Sequence, residues 1–210
     1  MARIHTFTLF CSLLLIGFSC KKGSDPVTPE LNETLKAMRF LLAAKSDLPS
    51  QYFVSGVFNE VKVNCATTNS KDFPYHDTTY NYITHNAAIN LDQIGITREN
   101  QESTIMVNIF FLQSYLFSRQ LPYTLPHQNP RIGEYAEVQL IDLKNYHTPP
   151  EGFTKEDFKF SGTSGTNLTI QVININDSTL QGKFHGVLTN KRGIDITVRD
   201  GSFNIKLKAI

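Results

Sequence analysis

Histidines, cysteines and paired carboxylates are the side chains that most often bind metals or carry acid–base catalysis, and this chain spaces them unfavourably for both. No histidines form H-x-H or H-E-x-x-H, and no G-x-S-x-G nucleophile motif occurs. The acidic residues are scattered, so spacing nominates no catalytic pair. The stretch SGTSGTN at 161–167 has two glycines but no lysine, which favours a flexible turn over a phosphate loop. We therefore expect a protein that is not an enzyme and uses no metal or cofactor.

Cys65 is the one cysteine outside the N-terminal region, which contains Cys11 and Cys20. It follows the alternating sequence VKVN, which predicts the end of a strand. A nucleophilic thiol needs an organised histidine, and no local motif supplies one. The sequence therefore predicts that Cys65 is a small buried apolar residue.

Two loop-like stretches concentrate side chains that are suited to binding. KDFPYHDTTYNY at 71–82 and SRQLPYTLPHQNPRIGEY at 118–135 combine tyrosines with histidine, proline and charged residues. Tyrosines beside polar groups can stack on sugars or anchor a protein partner, but they can also simply cover and stiffen long loops. The absence of tryptophan weakens a carbohydrate-binding interpretation. The candidate binding residues are Tyr75, His76 and Tyr80 in the first stretch and Tyr123, His127 and Arg131 in the second.

The N-terminus has the tripartite form of an export signal. Arg3 supplies a positive charge, and the apolar run FTLFCSLLLIGF extends over 12 residues from Phe7 to Phe18. As a helix this run would be about 18 Å long at ~1.5 Å per residue. A bilayer core needs about 20 apolar residues, so the run is too short to span it.

The residues before Cys20 resemble the lipobox of bacterial lipoproteins, in which small residues such as Gly17 and Ser19 precede a cysteine. Relaxed boxes ending in SCKK are similar to those of the Bacteroidota. The resemblance implies that residues 1–19 are removed and that Cys20 becomes an N-terminus carrying acyl chains such as palmitate. The protein would then be a lipoprotein of the outer membrane, on its periplasmic or its surface side. Gly17-x-Ser19 also fits the ordinary signal peptidase, which would release a soluble protein beginning at Cys20.

Charge gives no indication of a nucleic-acid partner. The whole chain has 20 Lys+Arg and 19 Asp+Glu, and removal of residues 1–19 takes away Arg3 alone, which leaves 19 of each. No basic excess and no block of like charge remain. Residues 20–29, with the sequence KKGSDPVTP after the cysteine, predict a mobile tether. We expect residues 30–210 to form a single, mostly β domain.

A helix is predicted near residues 30–44. Thr28 suits an N-cap, Pro29 the first helical position and Glu30 the first turn. Apolar residues then follow at spacings of four, three and four, and the intervening residues are good helix formers. We expect this apolar face to pack on the domain. Its members are Leu31, Leu35, Met38 and Leu42.

From Tyr52 onward the signals are those of short strands. STIMVNIFFL is apolar on both faces, which predicts a central strand covered on both sides. STLQGKFHGVLTN alternates throughout, and GIDITVRDGSFNIKL alternates on either side of Asp200-Gly201, where a turn or bulge is predicted. Both patterns place a phenylalanine, Phe184 or Phe203, on the buried face. Regular strand spacing without a βαβ rhythm predicts an all-β fold. We expect an antiparallel β-sandwich, with a barrel as the alternative.

The region 168–207 resembles the closing strands of Bacteroidota lipoproteins of unknown function. The shared pattern is a G-x-F strand, a turn, an I-x-I strand and a second G-x-F. It implies a β fold of that kind and says nothing about activity. The matching positions are Gly182, Phe184, Ile194, Ile196, Gly201 and Phe203.

Two three-residue stretches resemble the acceptor for O-glycosylation in exported Bacteroidota proteins. Asp77-Thr78-Thr79 and Asp177-Ser178-Thr179 both lie where turns are predicted. The resemblance implies modification of Ser178 and Thr78. The alternative is plain turn chemistry, in which the Asp bonds its own backbone two residues further on.

Function is therefore expected to be non-catalytic. We expect a lipid-anchored envelope protein that acts as a binding or interaction module for a protein or glycan, with the membrane as its second partner. An accessory or structural envelope protein without a small ligand is the main alternative. A lipocalin-like carrier of an apolar ligand is a further one.

Overall fold

The computed structural model describes residues 39–67, 81–86, 91–112, 116–127, 134–176 and 178–209. These residues contain two short α-helices, α1 (39–43) and α2 (Leu143–His147), and 3-10 helices at Leu116–Ser118 and Lys155–Phe158. The all-β prediction is confirmed. The strands are β1 (Phe53–Phe58), β2 (Val61–Cys65), β3 (Asn81–Asn86), β4 (Leu91–Glu99), β5 (Ile105–Leu112), β6 (Tyr123–Leu125), β7 (Tyr135–Asp142), β8 (Lys159–Thr163), β9 (Leu168–Ile175), β10 (Thr179–Thr189) and β11 (Asp195–Ala209).

All of these strands belong to one sheet that nearly closes into a barrel. Neighbouring strands follow the order β2-β1-β11-β3-β4-β5-β7-β8-β10-β9-β6, and β10 also pairs with β11. The ring therefore runs from β11 through β3, β4, β5, β7 and β8 to β10. Its weakest junction is β8–β10, where the register contains a single pair, Ser161 opposite Thr189. Every pairing is antiparallel except β11 with β3.

The core fills the inside of this ring. In β5, alternate residues Ile105, Val107, Ile109 and Phe111 are all fully buried in the main cluster. The opposite face of the same strand is also covered, because Met106 packs in a second small cluster with two apolar residues near α2. The predicted covering of both faces is confirmed at Met106, while Phe110 and Leu112 of the same face are half-buried.

The β10–β11 pair explains the repeated G-x-F pattern. Its register places Gly182 opposite Phe203 and Phe184 opposite Gly201, so each phenylalanine faces the glycine of the other strand. A Cβ atom on either glycine would collide with the facing ring, at Phe203 or at Phe184. Both rings are buried, with centroids 6.5 Å apart. The glycines are thus the spaces into which the two rings pack.

The β1–β2 hairpin turns at Asn59 and Glu60, as the alternation on either side of this pair indicates. Their φ angles are 43° and 69°, the left-handed conformation of a type I′ turn. Asn59 suits this conformation, whereas a glutamate is rare there. The Glu60 carboxylate pairs with Arg199 of β11 across the surface.

Where the structure describes the predicted helix, its type is correct, but the predicted packed face is wrong at Leu42. Residues 39–43 are helical, while Leu31, Leu35 and Met38 lie outside the described residues. Leu41 is fully buried, and Leu42, which was assigned to the packed face, is 67% exposed. Phe40 packs inward beside Leu41, since its ring stacks on Phe160 of β8 with centroids 6.0 Å apart. In the described part of the chain, no helix has the length and apolar character needed to cross a membrane.

Candidate functional site

A pocket of about 460 Å³ lies where α1, α2, the 3-10 helix Lys155–Phe158 and the β10–β11 turn meet. We call it the α1–α2 pocket. Four phenylalanines line it together with three cationic and two acidic side chains, and its volume is in the range of small-molecule sites. The phenylalanines are Phe40, Phe153, Phe158 and Phe160.

Asp142 lines the pocket at the N-terminus of α2. It ends β7 and caps α2, since its carboxylate accepts hydrogen bonds from the Asn145 backbone N–H at 3.3 Å and from Asn145 Nδ2 at 2.5 Å. Burial raises the pKa of Asp142 above its usual range, against the lowering effect of the Asn145 bonds and of Lys144. Both carboxylate oxygens are therefore occupied within the protein.

Asp157 holds the opposite wall together. Its carboxylate accepts bonds from the Thr154 backbone N–H at 2.6 Å and the Thr154 hydroxyl at 3.0 Å, and from Arg192 Nε at 3.1 Å. Asn190 Nδ2 donates to the Asp157 carbonyl at 2.9 Å, which ties the β10–β11 turn to the 3-10 helix. The backbone bond from Thr154, more than its hydroxyl and Arg192, lowers the pKa of Asp157, although burial opposes this.

Arg192 is committed to the pocket wall. Its Nη2 donates to the Gly152 carbonyl at 3.1 Å, and its guanidinium carbon lies 4.0 Å from the centre of the Phe153 ring. That ring contacts Phe158, with centroids 5.6 Å apart. The arginine thus fixes an aromatic surface instead of projecting into solvent as a free charge.

Arg39 of α1 and Lys144 of α2 are the remaining cations of the lining. Both side chains are exposed, and neither forms a salt bridge with a described residue. The pocket therefore combines an aromatic surface with two exposed cations, of which Lys144 also interacts electrostatically with Asp142. Such an arrangement can bind a molecule and orient it. Within the described ranges, no group of three or more His, Cys, Asp or Glu side chains could hold a metal ion.

The predicted binding residues Tyr123 and His127 form a different cluster. Tyr123 is 4% exposed, and its hydroxyl donates to Glu134 Oε1 at 2.9 Å, while Arg119 Nη2 donates to Glu134 Oε2 at 2.8 Å. Arg119 lies 4.8 Å from the centre of the Tyr123 ring, and His127 stacks on that ring at 5.1 Å. These contacts give Tyr123 a structural role around the buried Glu134, and its ring is not an open stacking surface for a sugar.

Ser178 is the one proposed modification site that the structure describes. It is exposed in the β9–β10 turn. Asn176 Oδ1 organises this turn by accepting bonds from the backbone N–H groups of Ser178 and Thr179 at 2.9 and 2.8 Å. Glycosylation of Ser178 stays a prediction. Cys20, Tyr75, His76, Thr78, Tyr80 and Arg131 lie outside the described residues.

Cys65 has none of the features of a nucleophile. Its side chain is fully buried at the end of β2 and forms no disulfide. Burial, with smaller contributions from Asp47 and Glu99, raises the pKa of its thiol far above the usual range. Negligible thiolate is therefore present at neutral pH.

The α1–α2 pocket was not predicted from the sequence. Its lining comes from four separated segments, and no segment carries a motif by itself. The available signal was the density of phenylalanine and charge in GFTKEDFKF at 152–160. Family models, curated proteins and solved structures were all compared with this chain, and none matches it.

Proposed function

We propose that this protein is a non-catalytic binding module of the cell envelope, held at the membrane by acyl chains on Cys20. The observation that supports binding is the α1–α2 pocket, which joins four phenylalanine rings to exposed cations in a volume of about 460 Å³. A concave, mostly apolar site with a few polar groups is the usual form of a small-molecule site.

The state of the carboxylates favours binding over catalysis. A carboxylate that acts as a general acid or base needs an oxygen within reach of the substrate. Asp142 uses its two oxygens on Asn145, and Asp157 uses its own on Thr154 and Arg192. Both acids thus act as rigid supports for the pocket wall.

The test is a fluorescence titration with phenylnaphthylamine, an uncharged aromatic probe that brightens in apolar sites. Ala43 lines the pocket from α1, so Ala43→Trp should fill it. Leu42→Trp is the matched control, because Leu42 is the adjacent helical residue and is exposed outside the pocket. We expect the native protein and Leu42→Trp to bind the probe and Ala43→Trp to lose at least about tenfold in affinity.

Two results would contradict the proposal. The first is equal binding by all three proteins, which would place the probe elsewhere. The second is no binding by any of them, which would favour an accessory or structural protein without a small ligand. Circular dichroism spectra of both tryptophan variants should match the native spectrum, since each substitution is on the exposed part of α1.

A further inference from the structure

We infer that the ligand of the α1–α2 pocket is a small apolar acid, whose oxyanion is held by Arg39 and Lys144 while its apolar body contacts the phenylalanine rings. This inference rests on the proposed function and specifies the class of ligand. It follows from which charges of the lining are already used and which are not.

The charge balance of the lining favours an anion. Arg39, Lys144 and Arg192 oppose Asp142 and Asp157, so three positive charges face two negative ones and the formal sum is +1. The positive charges of the lining are not all equally available to a ligand. Arg192 and Asp157 form a salt bridge, which leaves the two exposed cations against one carboxylate.

That carboxylate is a poor partner for a positively charged ligand. Asp142 is buried, and both of its oxygens already accept bonds from Asn145. An amine would have to lose its own hydration to reach this buried carboxylate, beside the bonds that Asp142 already accepts in capping α2. Asp157 is equally committed, since Thr154 and Arg192 occupy it. Both carboxylates of the lining are thus already engaged within the protein, whereas Arg39 and Lys144 offer exposed donors to an anion.

The apolar part of the ligand is indicated by the rings. Phe40 and Phe160 stack on one another, and Phe153 and Phe158 form a second pair. Two such pairs give flat apolar surfaces that suit an aromatic or acyl body. A small inorganic anion would leave these surfaces in contact with water, so an oxyanion attached to an apolar body fits the whole lining better.

The experiment compares anilinonaphthalene sulfonate with phenylnaphthylamine. The two probes share one aromatic body and differ by a single sulfonate, so the ratio of their affinities measures the contribution of the charge. The test variant is Arg39→Gln with Lys144→Gln. The matched control is Lys62→Gln with Lys183→Gln, which removes two exposed cations that do not line the pocket.

We expect the native protein to bind the sulfonate about fivefold to tenfold more tightly than the uncharged probe, as two solvent-exposed ion pairs would provide. The test variant should bring the two affinities within about twofold without changing that of the uncharged probe. The control variant should keep the native ratio, and added salt should reduce it in both proteins that retain the pocket cations.

The inference fails if the native ratio is near one, or if the test variant leaves it unchanged. This failure differs from failure of the proposed function. If Ala43→Trp blocks the uncharged probe but the charge variants have no effect, the pocket binds ligands and the assignment of an acid is wrong. If Ala43→Trp blocks neither probe, the pocket itself is not the binding site.

Discussion

Phe184 is the side chain on which the pairing of β10 with β11 depends most directly, because it is buried against Gly201 and Phe203. Phe184→Ala should lower the free energy of unfolding by about 3–5 kcal/mol, since it removes buried apolar area and leaves a cavity. At ~2–4 °C per kcal/mol for a domain of this size, the melting temperature should fall by about 10 °C. Thermal unfolding followed by circular dichroism measures the shift.

The neighbouring residue His185 supplies the control. It points out of the same strand and is exposed, so His185→Ala should change the stability by no more than about 0.5 kcal/mol. A shift of only one or two degrees in Phe184→Ala would show that the assigned strand phase is wrong.

The thiol of Cys65 should not react with alkylating reagents in the folded protein. Because burial, Asp47 and Glu99 raise the pKa of its thiol, iodoacetamide should leave Cys65 unmodified at pH 8 and modify it fully in guanidinium. Peptide mass mapping distinguishes Cys65 from other thiols. Rapid labelling of Cys65 in the native protein, at the rate seen in guanidinium, would contradict its burial.

Individual buried residues were predictable wherever a strand alternates. Phe184 and Phe203 were assigned correctly because the two-residue period fixes which face is buried. Leu42 was assigned wrongly, since the rotation of a short helix depends on a distant contact, Phe40 against Phe160. The buried position of Tyr123 was not predictable, because its hydroxyl bonds Glu134 and no local pattern reveals such a bond.

At the level of elements, the β1–β2 turn carries a measurable strain. Glu60 adopts a left-handed conformation that a side chain disfavours by about 1 kcal/mol. Glu60→Gly and Glu60→Ala both remove the exposed ion pair with Arg199, but only glycine relieves the backbone. The glycine variant should therefore be about 1 kcal/mol more stable than the alanine variant. Urea unfolding midpoints provide the comparison, and equal midpoints would contradict the turn type.

Protonation of Asp157, which supports the 3-10 helix at the pocket, should lower the free energy of unfolding in acid. Bonds from Thr154 and Arg192 lower the pKa of this carboxyl, so the folded state binds a proton less readily than the unfolded state. Its contribution is present at neutral pH and is lost as the pH falls below the usual Asp value of about 3.9. Asp157→Asn should cost about 1–2 kcal/mol at pH 7 and much less at pH 3.

Asp142 provides a control, because its effect on the pH dependence of stability has the opposite sign to that of Asp157. Burial raises the pKa of Asp142, so its ionisation opposes folding as the pH rises. Asp142→Asn removes this opposition and should make the loss of stability in acid steeper than in the native protein. The same direction of change in both variants would show that the two carboxyls are not distinguished as described.

Elements were predictable where the signal is local, as at the β1–β2 hairpin and in β10 and β11. The pocket was not, because it exists only where α1, α2, the 3-10 helix and the β10–β11 turn come together. The sequence between residues 142 and 160 contains ordinary caps and aromatic residues. These residues form a pocket only because they pack against α1 and the β10–β11 turn, and no periodic pattern in the sequence predicts that packing.

For the molecule as a whole, the proposed acylation of Cys20 would determine where the domain is held. Mass spectrometry of the mature protein should find a diacyl or triacyl mass on a peptide that begins at Cys20. Two or more chains hold a protein stably at a bilayer, whereas one holds it marginally. Cys20→Ala should therefore move the protein from the detergent phase to the aqueous phase on partitioning. An unmodified Cys20 at the N-terminus would instead support release by the ordinary signal peptidase.

The pairing of β11 also determines when this fold can form. β11 pairs with β1, β3 and β10, and it is synthesised after all of them. Until β11 emerges, each of those three strands lacks a neighbour on one side, and the ring has no means of closing. Neighbouring strands such as β4 and β5 can pair earlier, but the ring closes only through the last strand in chain order. The order of the strands in the chain thus makes closure of the ring a late event in synthesis of the domain.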